Sequence, residues 1–391
     1  MTNESAYWLT RSQCRVEDFA ALLDRTTRPA DCPHAAEIRS NVPVYDGDAV
    51  RRWAASPDKR PAVMAEWGEL MLNGPGLVVL AGAFNHFAAI DAATRHFQAV
   101  IAEQHAANSG GADHFAKRGA NDRIWNALEK LCLREPEVFA AYYANPIIAM
   151  VAEAWLGPAY QMTSQVNVVN PGGEAQSPHR DYHMGFQVPE VAARYPAHVH
   201  RLSPVLTLQG AVAHKDMPQI SGPTLYLPYS QRYEPGFLAF ALPEFAAYFA
   251  EQHVQLPLKK GDAVFFNPAL FHAAGTNRSK DIYRMANLLQ VSSAYGRAME
   301  TVDRTRMSIA LYPALAAARA NGTLSEAEGV NAIAACAEGY AFPTNLDRDP
   351  PLGGLAPASQ QDLMRQALRD GWPAQDFERA VRAQAERRVS Y

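Results

Sequence analysis

Residues 161–187, QMTSQVNVVNPGGEAQSPHRDYHMGFQ, carry the strand and turn signals from which the fold class is predicted. In the first nine of these residues, valines alternate with Gln165 and Asn167, which predicts a strand. Pro171-Gly172-Gly173 is a turn signal, and 178–187 is predicted to be a second strand. Short strands joined by Pro- and Gly-containing turns are typical of a β-sandwich or jelly roll.

Further short segments of the same character lie along the chain. Turn signals separate them, as at Ser221-Gly222-Pro223 and Lys260-Gly261-Asp262. The segments that we predict to be strands are 77–80, 205–214, 224–227, 263–266 and 282–292. Their number and spacing support a sandwich or jelly roll as the core.

Helical patterns flank this β-rich region on both sides. Apolar residues recur at three- and four-residue steps over 86–107, 124–133, 135–155, 325–337, 359–369 and 374–388. We therefore predict an α+β chain with a mainly β core between N- and C-terminal helices. Its predicted parts are an irregular N-terminal arm packed on the core (1–72), a central domain (73–300) and a C-terminal helical extension (301–391).

Composition limits the classes of partner. Of the 391 residues, 48% are hydrophobic and 19% are charged, a balance typical of a globular protein. The net charge of −4 gives no sign of a surface for nucleic acid or anionic membranes. Four widely spaced cysteines favour a reducing compartment, and no signal peptide or membrane-spanning run is visible. We expect a cytoplasmic monomer or homodimer that binds a small molecule, and neither nucleic acid nor membrane.

The sharpest chemical feature is His179-Arg180-Asp181. Residues two apart on a strand point to the same face, so His179 and Asp181 can offer an imidazole nitrogen and a carboxylate oxygen to one ion. Alone, the pair is weak evidence, because His-x-Asp arises often by chance. A surface hydrogen bond between the two side chains is then the simpler explanation.

Two later residues complete a pattern. His272 has apolar neighbours, and taken alone it is typical of a core histidine. Alternation places Arg284 on one strand face with Ala286 and Leu288. Because a buried guanidinium needs an anion, Arg284 has either a structural salt bridge, for example to Asp281, or a bound anionic ligand.

Taken together, these residues indicate a metal centre. His179, Asp181 and His272 have the composition of the facial triad that binds Fe(II) and leaves three coordination positions open. Two open positions can take a chelating 2-oxo acid, and the third can take O₂. The planar guanidinium of Arg284 suits the far carboxylate of 2-oxoglutarate.

The order of these motifs resembles the phytanoyl-CoA dioxygenase family, which contains Fe(II)- and 2-oxoglutarate-dependent oxygenases on a double-stranded β-helix, a cupin-like jelly roll. The resemblance covers about 75–300 and rests on NPGG and PHRD in 170–181, SGPTLYLPYSQ in 221–231, and GD, HAAGTN and Arg in 261–284. It implies that the iron ligands are His179, Asp181 and His272. It also implies that Arg284 pairs with 2-oxoglutarate and that 221–224 packs across the barrel mouth.

Four positions depart from the family pattern. Arg180 stands where Gln is common, Ala274 where some members have a Ser that helps to hold 2-oxoglutarate, and Gln209 where many have Trp. Arg284 lies one residue further from His272 than is usual. These departures bear on the contacts around the site and on the identity of the substrate more than on the predicted iron ligands. No basic cluster suited to the phosphates of coenzyme A is visible.

Further residues are candidates for the site. Gln165, Asn167 and Gln209 are predicted to contact the cosubstrate, although the first two fit a solvent-facing strand side equally well. The candidates for substrate contact are His183, Phe186, Arg123, Tyr340 and Phe342, of which the last two lie in a loop, 339–357, that suits a lid. His198 and His200 also have ligand spacing, but no later motif supports them.

We therefore predict an oxidoreductase that oxidises an unactivated C–H bond of a small molecule, such as an amino-acid or natural-product intermediate, and releases succinate and CO₂. Hydroxylation is the default outcome, with desaturation or ring closure as alternatives. Two other classes fit the same residues: a cupin-like metal hydrolase or isomerase using zinc or manganese, and a non-catalytic small-molecule binder.

Overall fold

Two β-sheets form the centre of the chain, which a computed structural model describes over residues 7–107 and 119–390. The strands are β1 Glu37–Arg39, β2 Val42–Asp46, β3 Leu77–Ala81, β4 Asn121–Ile124, β5 Gln161–Val169, β6 Thr207–Ala213, β7 Leu225–Tyr226, β8 Val254–Gln255, β9 Ala263–Phe266, β10 His272–Ala273 and β11 Arg284–Ser292. The larger sheet has the order β1-β2-β3-β9-β6-β11-β5-β4, and the smaller has the order β10-β7-β8. Because residues of both sheets line one cavity, the predicted double-stranded β-helix in an α+β chain is confirmed.

Side-chain alternation gives the larger sheet one face toward the helices and one toward the cavity. Strand β11 pairs antiparallel with β5 on one side and with β6 on the other. Its Met285, Leu289 and Val291 belong to the main apolar core, whereas Arg284 and Gln290 line the cavity. The register therefore determines which side chains can reach a bound ligand.

Most helices pack on the outer face of the larger sheet, whereas the helices within 16–23, 189–202 and 236–252 belong to two separate apolar clusters. Their bounds are α1 Val16–Leu23, α2 Gly47–Ala54, α3 Lys59–Leu72, α4 Ala88–Ala106, α5 Ala127–Arg134, α6 Pro136–Tyr143, α7 Pro146–Leu156, α8 Pro189–Ala192, α9 Ala197–Leu202, α10 Gly236–Ala239, α11 Pro243–Gln252, α12 Arg304–Ala320, α13 Glu326–Cys336, α14 Gln360–Asp370 and α15 Ala374–Arg387. The helix residues Trp67, Phe97 and Met150 share one buried cluster with Val166 and Phe265 of the sheet. Each such burial contributes about 2 kcal/mol, so this cluster fixes the sheet against the helices.

Two helix predictions before the central strands are wrong in detail. The predicted helix 135–155 is two helices, because Pro146 has no N–H to continue the first one. The Asn145 side chain instead caps α7 by accepting from two backbone N–H groups. The predicted helix 124–133 starts at Ala127, since the preceding residues form β4 and pair with β5.

Both ends of the chain contribute regular structure. The first 72 residues contain α1–α3, β1 and β2, and are therefore less irregular than their sequence indicates; residues 1–6 lie outside the described part. Strand β2 joins the larger sheet by parallel pairing with β3. After β11, α12–α15 follow, and 339–357 contains neither helix nor strand. Within the described ranges, no helix combines the length and apolarity needed to cross a membrane.

Candidate functional site

His179 and Asp181 lie in a loop that is hydrogen-bonded to the segment carrying His272. The prediction of a strand over 178–187 is wrong, because Tyr182 has φ of 22°, which is outside the extended region. A single bridge forms instead: His179 N donates to His272 O at 3.0 Å, and His272 N donates to His179 O at 3.2 Å. This bridge brings the distant sequence motifs together.

The three side chains converge on one point. Their ligand atoms all lie within 4.8 Å of one another. Nε2 of His179 and Nε2 of His272 lie 3.9 Å and 3.4 Å from oxygens of Asp181. The Nδ1 atoms face the carbonyls of Ser177 and Leu270, each at 2.9 Å. This pattern assigns the ring proton to Nδ1 and directs both Nε2 atoms toward the carboxylate.

Burial and neighbouring groups set the protonation of the cluster. Burial alone would raise the pKa of Asp181, but His179, His272 and the amide of Gln209 hold that pKa below its usual range. Burial, assisted by the nearby His272, lowers the pKa of His179. A charged carboxylate and a neutral imidazole are the forms in which these groups bind metals.

The donor set fits a ferrous ion. Two imidazoles and one carboxylate form the set that suits non-haem Fe(II) with open positions. The side-chain Nε2 of Gln209 donates to Oδ2 of Asp181 and so orients that carboxylate. Over residues 7–107 and 119–390, no second group of three His, Cys, Asp or Glu side chains converges in this way.

Arg284 lies at the start of β11 and is 6% exposed. Its Nη1 donates to the carbonyl of Ser221 at 3.4 Å. Burial lowers the pKa of Arg284 to about 10, so the guanidinium stays charged at neutral pH. It forms no ion pair with a described carboxylate, and the salt bridge to Asp281 that the sequence left open is absent from the described residues. A buried, unpaired guanidinium is a site for an anionic ligand.

One cavity of about 150 Å³ connects the metal cluster with Arg284. The predicted site residues that line it are His179, Asp181, His272, Arg284, Gln165, Asn167, Gln209, Arg123 and Phe186. Gln165 and Asn167 therefore face inward, and the solvent-facing alternative for them is excluded. Nη1 of Arg123 donates to Oε1 of Gln165 at 3.0 Å, which links two of these residues.

Three residues predicted to contact the substrate do not line this cavity. His183 borders a separate pocket, because its backbone N–H is held by the hydroxyl of Ser203 at 3.0 Å. Tyr340 packs edge-on against Tyr295 at 5.4 Å between ring centroids, and Phe342 packs against Tyr340. Their positions do not support the predicted contacts.

The alternative ligand pair is also separate from the cluster. His198 and His200 lie on α9. Nε2 of His200 lies 3.0 Å from the carbonyl of Ala192, and the side chain is buried. His200 is therefore a buried histidine held through Nε2, and neither it nor His198 belongs to the group that converges on one point.

Four polar residues of the cavity were not predicted from the sequence, namely Gln176, Thr224, Tyr226 and Gln290. Extending the strand alternation from Leu288 by two residues would have found Gln290. Thr224 belongs to the segment 221–224, which the sequence predicts to pack across the barrel mouth, but no role was predicted for its side chain. Gln176 had no signal of its own, because its place depends on the pairing of its backbone N with Ala274 O at 3.0 Å.

Arg180, the middle residue of His-x-Asp, points into an apolar environment. Its guanidinium carbon lies 5.0 Å and 5.1 Å from the ring centroids of Phe237 and Phe271. Nη2 donates to the carbonyls of Ser230 at 2.6 Å and Tyr233 at 2.9 Å. Burial lowers the pKa of Arg180 to about 9. The side chain thus ties the metal-binding loop to the turn that follows β7.

We expect Arg180→Ala to lower the free energy of unfolding by about 3 kcal/mol. The change removes the side-chain donor from two carbonyls, each of which keeps one backbone donor, and it removes two cation–π contacts. Chemical denaturation measures the effect, with Arg194→Ala, an exposed arginine, as the control. A loss no larger than that of the control would show that Arg180 does not hold the loop.

Glu300 is a half-buried acid that follows Met299, a residue of the cavity lining. Its Oε1 accepts from the backbone N of Asn126 at 2.7 Å. Burial raises the pKa of Glu300 to about 7, although the hydrogen bond from Asn126 and the charges of Lys130 and Arg123 oppose this shift. Between its ordinary value and about 7, the folded protein therefore holds a proton that the unfolded chain has released.

This acid should make stability fall as pH rises from about 4.5 to about 7. The contribution lost over that window is on the order of 3 kcal/mol, because the protonated carboxyl is the form that burial favours. Denaturation at several pH values should show that Glu300→Gln removes this slope, whereas the exposed Glu251→Gln keeps it. An unchanged slope in Glu300→Gln would contradict the assignment.

A double-stranded β-helix with a His-Asp-His cluster in its cavity is the arrangement of a metal-dependent protein. The family model described as phytanoyl-CoA dioxygenase (PhyH) matches residues 48–286. The chain therefore belongs to the phytanoyl-CoA dioxygenase family, and it is an oxidoreductase of the 2-oxoglutarate-dependent dioxygenase class.

Relatives were found among curated proteins and solved structures. Dioxygenase trt7 of Aspergillus terreus (strain NIH 2624 / FGSC A1156) is 26% identical over 228 residues, which cover 57% of this chain and 72% of that protein. The non-heme alpha ketoglutarate dependent epimerase SnoN from nogalamycin biosynthesis is 20% identical, with a TM-score of 0.42, over 63% of this chain and 82% of its own. The carbocyclase SnoK is 18% identical, with a TM-score of 0.42, over 58% and 83%.

Proposed function

We propose that the chain uses Fe(II) and 2-oxoglutarate to oxidise an unactivated C–H bond of a small molecule. His179, Asp181 and His272 would hold the iron. The observation that carries this proposal is the convergence of their ligand atoms within 4.8 Å inside the cavity. Hydroxylation is the expected reaction. When bound, Fe(II) with 2-oxoglutarate and O₂ supplies an oxidant for C–H bonds and yields succinate and CO₂.

The cosubstrate would lie between the metal cluster and Arg284. Its distal carboxylate is the anion that the buried guanidinium requires, and a planar fork can bind a carboxylate through two hydrogen bonds. Ala211 and Leu288 line the cavity as well and leave space for the carbon chain. Arg284 thus fixes one end of the cosubstrate, and Asn167 contributes an amide to the same cavity.

The chain's own part in the reaction is to orient its ligands and to exclude water. The carbonyls of Ser177 and Leu270 fix the ring orientation of both histidines. The amide of Gln209 fixes the carboxylate of Asp181. Such contacts outside the ligand set hold a metal site in its productive geometry.

We also propose a cytoplasmic location. All four cysteines are free, and three of them are buried. Free thiols fit a reducing compartment. The net charge of −4 supports a small-molecule partner rather than nucleic acid or an anionic membrane.

Succinate release over a library of amino acids and natural-product intermediates tests the proposed reaction. We expect a substrate to raise succinate formation about tenfold or more over the protein with 2-oxoglutarate alone, and only when Fe(II) and O₂ are both present. Substrate conversion that proceeds with zinc, without O₂ and without consumption of 2-oxoglutarate, would instead indicate a metal hydrolase or isomerase.

A further inference from the structure

A row of side chains lies beside the metal cluster on three neighbouring strands. Gln290 of β11 pairs with Gln209 of β6, which pairs with Phe266 of β9. All three line the cavity, as expected for directly opposed residues on one sheet face. Phe266 packs against His272 at 4.8 Å between ring centroids, and Gln209 donates to Asp181. The row is therefore at the level of the metal ligands.

The hydrogen-bonding roles of Gln209 are fixed by its partner. A carboxylate only accepts hydrogen bonds, so the amide nitrogen must face Asp181 and the amide oxygen must face elsewhere. Oε1 of Gln209 is buried and has no hydrogen-bond partner among the described residues. The site thus presents an acceptor next to the metal cluster.

Gln290 lines the same cavity from the adjoining strand, where no carboxylate fixes the direction of its amide. The residue is 8% exposed, and its Oε1 also has no partner within the described part of the chain. Buried polar atoms are as a rule hydrogen-bonded, so two adjacent amide oxygens without protein partners point to a ligand. 2-Oxoglutarate cannot satisfy the acceptor of Gln209, because its dianion carries only acceptors.

We propose that Gln209 and Gln290 recognise an O–H or N–H donor of the substrate, close to the carbon that is oxidised. This inference rests on the proposed function, since it places the substrate next to the iron site. It assigns the substrate to molecules that carry a hydroxyl, amine or amide N–H near the reacting carbon. Unsubstituted hydrocarbon chains are disfavoured, because they would leave both amide oxygens without partners.

Matched fragments test the donor requirement without any turnover. The protein is loaded with Zn(II) and 2-oxoglutarate, and ligand-observed NMR titrations compare cyclopentanol with cyclopentyl methyl ether, and 2-pyrrolidinone with N-methyl-2-pyrrolidinone. We expect each donor to bind about tenfold more tightly than its methylated partner.

The variant Gln290→Leu should reduce this preference to about twofold. Its affinity for 2-oxoglutarate, measured by calorimetry, should be unchanged. Gln98→Leu, on the exposed side of α4, should keep the preference.

Three results would overturn the inference or one of its two residues. Equal binding of donor and methylated fragments, in a protein that binds 2-oxoglutarate, would show that the amides do not select a donor, while leaving the proposed function intact. Failure of the Zn(II)-loaded protein to bind 2-oxoglutarate would overturn the proposed function and this inference with it. A preference that survives in Gln290→Leu would remove Gln290 from the recognition pair.

Discussion

Asp181→Ala is expected to weaken Fe(II) binding severely and to abolish succinate formation. Asp181 supplies the only carboxylate of the cluster, and its lowered pKa keeps it charged at neutral pH. Two neutral imidazoles alone lack the charge and the third ligand of the facial triad. We expect the affinity for Fe(II) to fall by about 100-fold or more, a larger loss than is usual for residues outside the ligand set. Anaerobic titration with Fe(II) and 2-oxoglutarate measures the affinity for Fe(II) through the visible metal-to-ligand charge-transfer band.

The matched control is Asp281→Ala. Asp281 is an exposed acid in the turn before β11, so its removal changes the net charge equally without touching the cluster. The control should keep the full band. A band of undiminished intensity in Asp181→Ala would show that the ion is bound elsewhere.

Arg284→Met is expected to raise the dissociation constant of 2-oxoglutarate by about 100-fold or more while Fe(II) binding is retained. Removing one partner of a buried, hydrogen-bonded charge pair typically costs about 2–5 kcal/mol, which corresponds to such factors. The variant should fold, because it removes a buried charge that has no counter-ion in the described protein. The dissociation constant of 2-oxoglutarate in Arg284→Lys should lie between those of the original protein and Arg284→Met. An ammonium keeps the charge of the guanidinium but not its planar fork.

Titration of the charge-transfer band with 2-oxoglutarate at fixed Fe(II) gives these constants. Arg278→Met, at an exposed position, is the control for loss of one positive charge. A dissociation constant within twofold of the original in Arg284→Met would exclude Arg284 as the cosubstrate's anchor. In that case the buried guanidinium would have to serve another anion.

The parts of the site that were predictable are those carried by local chemistry. His179, Asp181, His272 and Arg284 were found because their residue types, in this order, match one known way of binding iron and a dicarboxylate. Strand β5 was predicted with its observed bounds because alternating valines and polar residues require two different environments. The strand is predictable from nine consecutive residues, whereas the four site residues are predictable only from the order of separate motifs.

The remaining features depend on contacts between distant segments. The loop after Pro178 looked like a strand, but its conformation is set by the bridge to His272 and by the buried Arg180. Tyr340 and Phe342 looked like lid residues, yet Tyr295 supplies a nearer aromatic surface for them. The tertiary structure determines which of several possible partners a side chain packs against, and a local sequence pattern does not contain this information.

A crystal structure of the protein grown anaerobically with Fe(II) and 2-oxoglutarate tests the central claim most directly. We expect one ion bound by Nε2 of His179, Nε2 of His272 and a carboxylate oxygen of Asp181. The distal carboxylate of 2-oxoglutarate should contact the guanidinium of Arg284. An ion bound by other residues, such as His198 and His200, or a cosubstrate that does not contact Arg284, would contradict the central claim.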